Sequence, residues 1–178
     1  VEEQVAHWML EESCRRATAW RDSTELYFTA FKSQLSDPNL AEHLLSTLNH
    51  TKLAPNRLVF QIPESHLTEM PETSLFQLVK LQSYGVRIVI CEYGSSNLSL
   101  PQIRNLPING LKIDPTLTAK LETNGQLVRG VAALSKSLGL TVMADGVTSG
   151  RQLAALTKLG CQKCQGSHVG TPKPNTIP

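Results

Sequence analysis

Short apolar runs alternate along the chain with stretches of helical periodicity. The apolar runs predict six strands, at residues 26–31, 58–62, 86–91, 111–113 and 140–144 and near Cys164. These runs are apolar almost throughout instead of alternating between apolar and polar positions. Such runs are typical of parallel strands that are buried on both faces of a sheet.

Between these runs the periodicity predicts helices at residues 1–20, 39–49, 72–83, 101–105, 125–138 and 149–159. The first helix carries Val5, Trp8, Met9 and Ala17 at helical spacing, which predicts its apolar face. Regular alternation of strands and helices fits either an open doubly wound sheet or a TIM-like barrel. No glycine-rich phosphate loop follows the first strand, so a nucleotide-binding doubly wound sheet is disfavoured.

Composition narrows the class of protein. The 178 residues suffice for one domain, and the net charge of +2 comes with no basic run and few aromatic residues. This pattern excludes a surface for nucleic acid polymers. No apolar stretch approaches the roughly 20 residues of a membrane helix, and no signal peptide is visible. Because the chain starts at Val1, we expect it to be part of a longer protein, and we predict a cytoplasmic location.

The chain contains four scattered cysteines, Cys14, Cys91, Cys161 and Cys164, too few for a disulfide scaffold. Cys161 and Cys164 are spaced as a redox or zinc pair would be. The alternative is two small apolar residues where a helix meets a buried strand. We favour the second interpretation because a zinc site needs two further ligands, and His168 alone is a poor supplement.

In barrel enzymes the chemistry lies at the C-terminal ends of the strands. The polar or reactive residues at the predicted ends are Thr29, Gln61 with Glu64, Cys91 with Glu92, Lys112 with Asp114, Asp145, and Gln165. Lys112 has two interpretations. A lysine at the end of an apolar strand can orient a water or a phosphate, or it can extend its ammonium to solvent at the rim.

Four segments resemble the EAL family of cyclic di-GMP phosphodiesterases. They are GVRIVICEYGSSNLSL at 85–100, GLKID at 110–114, LGLTVMADGVTSGRQ at 138–152 and LGCQKCQGSHVGTP at 159–172. With these the resemblance extends over residues 1–174, which we predict as one EAL-like domain, and residues 175–178 form a tail. The resemblance implies a TIM-barrel-like α/β fold of βα repeats.

The resemblance also implies a site in which carboxylates hold two divalent cations that activate a water. No segment matches the Glu-Ala-Leu motif, which the family places ahead of the first helix of this chain. At the family's asparagine and glutamate ligands this chain has Thr29 and Gln61. At the family's paired aspartates it has Cys91 and Glu92. These replacements remove most of the metal-binding charge, so neither Mg²⁺ nor Mn²⁺ is expected to bind.

The remaining positions are closer to the family. Asp145 and Thr148 stand where the resemblance implies glutamates, and Lys112 and Gln165 match the family. The family's Thr-Gly-Tyr loop is replaced by Ser-Ser-Asn at 95–97, which removes a glycine hinge. Lys112, Asp145 and Gln165 are therefore the candidate ligand-binding residues.

From the resemblance we predict a catalytically inactive EAL-like regulatory domain in bacterial cyclic di-GMP signalling, which senses a ligand or binds a protein. A weakly active metal-dependent phosphodiesterase is the first alternative. The second is an unrelated barrel enzyme with Cys91 as nucleophile and Lys112 or Glu92 as helper, although we expect Cys91 to be a buried, inert thiol. The partners implied by the resemblance are cyclic di-GMP and an adjacent GGDEF or sensor domain, besides a protein partner.

The predicted strand count is six, whereas a complete barrel has eight. The resemblance implies that the first two strands precede Val1. Six strands alone would leave open edges at residues 26–31 and 164–168, and open edges invite pairing with another chain. We expect either that a longer chain supplies the missing strands or that this chain forms a symmetric homodimer.

Overall fold

The computed structural model describes residues 2–67, 70–96 and 98–171. Strands and helices alternate along these residues. The helices are α1 (Glu2–Ala17), α2 (Lys32–Leu35), α3 (Leu40–Thr51), α4 (Glu64–Leu67), α5 (Glu72–Ser83), α6 (Leu100–Asn105), α7 (Pro115–Ala119), α8 (Leu121–Ser137) and α9 (Gly150–Leu159). The strands are β1 (Leu26–Thr29), β2 (Leu58–Pro63), β3 (Arg87–Tyr93), β4 (Gly110–Ile113), β5 (Thr141–Ala144) and β6 (Lys163–Cys164).

The chain divides into two compact units. Unit 1 comprises Val1–Val89 and Asn105–Ile108, and unit 2 comprises Ile90–Arg104 and Asn109–Pro178. Strand β3 therefore begins in unit 1 and ends in unit 2. The predicted tail at 175–178 and Asn97 of the predicted loop lie outside the described residues.

Unit 1 is built on a parallel pair of strands. Leu26 of β1 lies opposite Leu58 of β2, and the register continues to Thr29 opposite Gln61. Phe28 and Phe60 stack with their ring centroids 6.3 Å apart, a geometry that aromatic pairs favour. All six residues of β2 are buried, so this strand forms the centre of the unit's core.

Unit 2 contains a second run of parallel strands. Strand β4 pairs with β5 from Gly110 opposite Thr141 onward, and β5 pairs with β6 at Ala144 opposite Cys164. The Asp114 amide donates to the Tyr93 carbonyl at 3.1 Å, which ties the end of β3 to the end of β4. The carboxyl ends of these strands therefore lie side by side.

The predicted α/β fold of parallel βα repeats is confirmed, and some predicted boundaries are wrong. Helix α1 ends three residues before the predicted end, and β1 stops at Thr29, two residues early. Strand β3 continues through Tyr93, past the predicted end at Cys91. The helix predicted from residue 125 begins at Leu121. Among the described residues, no helix is long and apolar enough to cross a membrane.

The predicted apolar face of α1 is wrong except at Ala17. The buried positions are Ala6, Leu10, Cys14 and Ala17, which recur at helical spacing. Val5, Trp8 and Met9 lie on the exposed side, with 45%, 64% and 39% of their surface accessible. Small side chains at Ala6 and Cys14 let α1 pack closely, and the largest apolar side chains face solvent.

Gly166 locks the turn that follows β6. Its φ of +151° lies at the edge of the region that side chains avoid, and a Cβ atom there would lie 2.2 Å from the Val147 amide nitrogen and carbonyl oxygen. The backbone of Val147 in turn donates to the Gln165 carbonyl at 3.0 Å. Only glycine lets these two backbone segments approach so closely.

We expect Gly166→Ala to destabilise the protein by more than about 2 kcal/mol, because the added methyl group displaces backbone that cannot yield. Gly130 is the matched control, since it is exposed within α8 and a Cβ there meets nothing within 4 Å. Gly130→Ala should raise stability by about 0.5–1 kcal/mol. Urea unfolding measures both changes, and equal effects would contradict the close approach at Gly166.

Candidate functional site

In unit 2 the ends of β4, β5 and β6 bring three predicted site residues together. The Lys112 ammonium lies 2.7 Å from Asp145 Oδ2 and 2.8 Å from Gln165 Oε1. Asp145 and Gln165 each directly follow a strand, and their amides donate to the carbonyls of Ile113 and Ala144. The parallel register thus sets the three side chains at one edge of the sheet, as the sequence predicts.

Lys112 is buried, with 7% of its surface accessible. It lies in β4, whose four residues are all buried, so its side chain cannot reach solvent freely. A buried ammonium is tolerated only when anions or hydrogen-bond acceptors surround it. Asp145 supplies the charge and Gln165 supplies a neutral acceptor, so the interpretation in which Lys112 extends to solvent is wrong.

The Asp145 carboxylate is also held from its own loop. Its Oδ1 accepts a hydrogen bond from the Gly146 amide at 2.7 Å. Gly146 has a φ of +73°, and a Cβ there would lie 2.6 Å from Pro115 Cβ, so glycine is required for the turn. Both carboxylate oxygens of Asp145 are therefore engaged, one by a cation and one by the backbone.

Cys91 is buried, with 5% of its surface accessible. Burial, followed by the Glu92 charge, raises the pKa of the Cys91 thiol to about 12, and nearby Lys112 lowers it by less. The predicted buried position is confirmed. A thiol with such a pKa stays protonated at neutral pH, which disfavours it as a nucleophile or as a metal ligand.

Glu92 differs from Cys91 in environment and in backbone. Its side chain is exposed, and its φ of +57° places it in the left-handed region. A non-glycine residue there costs about 1 kcal/mol. The Cys91 side chain is buried and the Glu92 side chain is exposed. The two side chains therefore do not form a pair of ligands in one environment.

In unit 1 the predicted residues Thr29 and Gln61 contact each other. They lie opposite in the β1–β2 register, and the Thr29 hydroxyl donates to Gln61 Oε1 at 3.3 Å. Gln61 is buried, with 4% of its surface accessible, and its Nε2 has no partner within the described residues. Glu64, at the start of α4, is almost completely buried.

Two further predicted residues bond within their own turns. Asp114 is the N-cap of α7, where its Oδ1 accepts hydrogen bonds from the amide and the hydroxyl of Thr116. Thr148 donates from its amide and its hydroxyl to Gln152 Oε1, at 2.8 and 3.0 Å, just before α9. Both residues therefore stabilise helix starts.

The sequence reasoning missed Gly146 and Gly166 as residues that position the site. Each glycine directly follows a strand-end candidate, Asp145 or Gln165, and fixes the turn that aims it. The signal was present, because a glycine immediately after an apolar strand indicates a turn with unusual backbone angles.

Cys161 and Cys164 fit the interpretation as small residues at a helix–strand junction. Cys161 is buried and Cys164 half-buried, and both are free thiols. Burial raises the pKa of Cys161 to about 11 and also raises that of Cys164. Within residues 2–67, 70–96 and 98–171, no three histidine, cysteine, aspartate or glutamate side chains are grouped so that they could hold a metal ion.

Comparison with known families identifies the fold. The sequence model of the EAL domain family matches residues 1–172. The chain belongs to the EAL domain family. The resemblance drawn from the strand-end segments is thereby confirmed.

Two curated relatives of this EAL domain carry names from cyclic di-GMP metabolism. It is 32% identical to the cyclic di-GMP phosphodiesterase RocR of Pseudomonas aeruginosa, over 84% of this chain and 39% of the relative. It is 30% identical to the bifunctional diguanylate cyclase/cyclic di-GMP phosphodiesterase MucR of the same organism, over 96% of this chain and 26% of the relative. The chain thus spans well under half the length of either relative.

Solved EAL structures show the same fold. A MucR phosphodiesterase in complex with cyclic di-GMP superimposes with a TM-score of 0.90 at 30% identity, covering 97% of this chain and 72% of that chain. The EAL domain of Mycobacterium smegmatis DcpA also gives a TM-score of 0.90, at 26% identity, covering 97% of this chain and 80% of that chain. The TIM-barrel-like EAL fold predicted from the sequence is confirmed.

We expect Cys91 to react slowly with a thiol reagent in the native protein. With a pKa of about 12, only about one thiol in ten thousand is ionised at pH 8. Dithionitrobenzoate labelling should show the same native reaction in wild type and Cys91→Ser, and one fewer thiol in Cys91→Ser after unfolding. Half-buried Cys164 should react faster with the reagent than buried Cys91 does. Loss of a fast native phase in Cys91→Ser would contradict the expectation.

We also expect the Lys112–Asp145 pair to stabilise the fold. Lys112→Met and Asp145→Asn should each cost about 1–3 kcal/mol, because each leaves a partly buried polar partner unsatisfied. The double variant should cost less than the sum by about 1–2 kcal/mol. Urea unfolding of the four proteins measures this coupling.

The control pair is Arg151 and Glu122, whose atoms lie 3.1 Å apart with 87% and 80% of their side-chain surfaces exposed. Exposed pairs of this kind contribute little. A coupling at Lys112–Asp145 no larger than at this pair would refute the buried ion pair.

Proposed function

We propose that this EAL domain is a catalytically inactive regulatory module of cyclic di-GMP signalling, which senses a ligand or binds a protein. The observation that carries the proposal is the engagement of Lys112 with Asp145 and Gln165, at 2.7 and 2.8 Å. The relatives named as cyclic di-GMP phosphodiesterases support the signalling context.

The first support for inactivity is the donor chemistry in unit 2. The family resemblance implies Mg²⁺ or Mn²⁺, and such hard cations require oxygen ligands, mainly carboxylates. Cys91 instead offers a protonated thiol with a pKa of about 12, and sulfur suits neither cation. The residues at this position do not fit the implied metal.

The second support is the state of Asp145. Its Oδ2 is neutralised by the Lys112 ammonium and its Oδ1 accepts from the Gly146 amide. A divalent cation would have to displace the lysine and would then lie beside its positive charge. That repulsion, added to the missing ligands, disfavours metal binding.

The third support lies in unit 1, where Thr29 and Gln61 occupy the other implied ligand positions. Both side chains are neutral and they hydrogen-bond to each other at 3.3 Å. Neutral oxygens bring no charge to offset the dehydration of a divalent cation. The residues at the implied ligand positions therefore fit a divalent cation poorly in both units.

The residues that remain suit recognition of a ligand. Lys112 carries three donor hydrogens and Gln165 an amide, which are groups that bind phosphate oxygens. The MucR structure contains cyclic di-GMP, which supports this dinucleotide as the ligand to test. We propose Lys112, Asp145 and Gln165 as the contacts from unit 2.

A weakly active phosphodiesterase is the second candidate. It is favoured by one observation, that Glu92 is an exposed carboxylate at one of the implied ligand positions. Its left-handed backbone fixes the direction of that carboxylate, and a misplacement of about 1 Å can cost about 100-fold in rate. The nucleophile hypothesis for Cys91 loses its support, because the thiol is protonated and buried.

The relatives also suggest a setting. MucR is named as a bifunctional enzyme, and this chain spans 26% of its length. We propose that the present domain likewise acts beside a GGDEF or sensor domain. Association as a homodimer and a cytoplasmic location stay predictions.

We expect the full-length protein to release no linear dinucleotide from cyclic di-GMP above background, in Mg²⁺ or in Mn²⁺. Chromatography of the nucleotides measures this, with an active EAL phosphodiesterase as the positive control. Metal-dependent turnover that a chelator abolishes would refute inactivity.

Calorimetric titration with cyclic di-GMP tests the ligand separately. If the dinucleotide binds, its affinity should be the same with Mg²⁺ and with chelator, and Lys112→Met should weaken it at least about tenfold. A strict Mg²⁺ requirement for binding would contradict the metal-free site. If cyclic di-GMP does not bind, the ligand-sensing role is wrong for this dinucleotide, and protein binding is the role that remains.

A further inference from the structure

A groove on unit 1 has the chemistry of a peptide-binding surface. It runs beside α1, facing α2 and the start of α3, and its volume is about 480 Å³. We call it the acidic groove and define it by an apolar floor (Leu10, Leu40, Leu44), acidic edges (Glu3, Glu11, Asp37) and Trp8 at its lip. None of these residues belongs to the site at the strand ends.

The floor and the lip of the groove are apolar. Leu10, Leu40 and Leu44 line it although each is at most 3% exposed. Trp8 lines it with 64% of its surface accessible. A tryptophan carries the largest apolar side chain, and leaving it exposed forgoes about 2–3 kcal/mol of burial. Exposed apolar patches rimmed by polar residues mark binding surfaces, and tryptophan is enriched among the residues that dominate binding energy.

The charges at the edges all have one sign. Glu3, Glu11 and Asp37 line the groove, and no lysine or arginine does so among the residues that the structure describes. Among its described lining residues the candidate cations are His7 and His43, and the His43 ring lies 2.6 Å from Asp37. A local excess of carboxylates is notable on a chain whose net charge is +2.

Helix α1 also carries a carboxylate outside the groove, Glu12, whose partners are arginines. Glu12 of α1 forms ion pairs with Arg15 and Arg16, both at 2.6 Å. Both arginines of α1 are therefore paired with Glu12, near the C-terminal end of the helix, whereas Glu3 lies near its N-terminal end. Of the groove carboxylates, Glu11 lies 3.8 Å from His50 Nε2.

We infer that the acidic groove binds a basic amphipathic peptide segment of a protein partner. An apolar side chain of that segment packs on the leucine floor. An arginine of that segment can bind at Trp8, because a guanidinium stacks on the face of an indole ring. The same guanidinium can donate two parallel hydrogen bonds to a carboxylate. The sign of the groove's charge excludes an acidic segment, because carboxylates repel each other across an interface.

This inference goes beyond the cyclic di-GMP proposal and does not depend on it. The groove lies within unit 1, whereas Lys112, Asp145 and Gln165 lie in unit 2. A failure of nucleotide binding would therefore leave the groove inference intact, and a failure of peptide binding would leave the nucleotide proposal intact.

The test is selection of a random peptide library against the full-length protein, followed by fluorescence anisotropy on the enriched peptides. We expect enriched peptides that combine arginine or lysine with a large apolar residue. Their affinity should fall at least about tenfold in Trp8→Ala, and Arg→Glu versions of the peptides should not bind. The paired change Glu3→Gln with Glu11→Gln should weaken binding and reduce its dependence on salt.

Phe76→Ala is the matched control. Phe76 is an aromatic residue of α5 in the same unit with 68% of its surface accessible, and it does not line the groove. Its replacement should leave peptide affinity unchanged. Both aromatic residues are exposed, so neither variant should unfold, and thermal melts verify this.

Three results would overturn the inference. One is enrichment of no peptides, or of acidic or uncharged peptides. Another is equal affinity for wild type and Trp8→Ala. The third is a wild-type dimer that Trp8→Ala converts to a monomer in light scattering, which would mean that a second copy of the chain covers the groove.

Discussion

The buried ammonium of Lys112 constrains the sheet edge of unit 2, because it requires acceptors around it. An uncompensated charge at that depth would oppose folding, so acceptors must be delivered to it. Asp145 and Gln165 arrive 2.7 and 2.8 Å away because the register of β4, β5 and β6 carries each to the same edge. The turns after both residues are then fixed by Gly146 and Gly166, where a Cβ would collide with backbone or with proline.

The same interaction limits what chemistry the edge can support. A carboxylate that neutralises a lysine has less charge to offer a second cation. Cys91, close enough to Lys112 for its pKa to respond, stays a neutral thiol because burial outweighs the lysine's effect. Lys112, Asp145 and Gln165 therefore balance one another's charge and hydrogen-bonding groups at this edge of the sheet.

The sequence predicted the strands and the strand-end cluster well, because continuous apolar runs and parallel order are local signals. It predicted the ends less well. Strand β3 continues past the polar Glu92, which a left-handed backbone turns outward. The short helices α2, α4 and α7 span too few residues to show a period. The buried face of α1 was missed because close packing selects Ala6 and Cys14, whereas hydrophobicity alone favours Trp8.

Neutral replacements at the implied ligand positions have a common physical logic. A buried carboxylate is tolerable beside a metal ion and costly without one. Once one ligand is absent, a remaining buried carboxylate becomes an unpaired charge, and a neutral side chain of similar size relieves that cost. Gln61 and Cys91, 4% and 5% exposed, are such side chains. Asp145 keeps its charge, and it is the position that has Lys112 beside it. At the implied ligand positions, carboxylates are therefore present at exposed Glu92 and at half-buried Asp145, where a cation of the chain itself lies beside the charge.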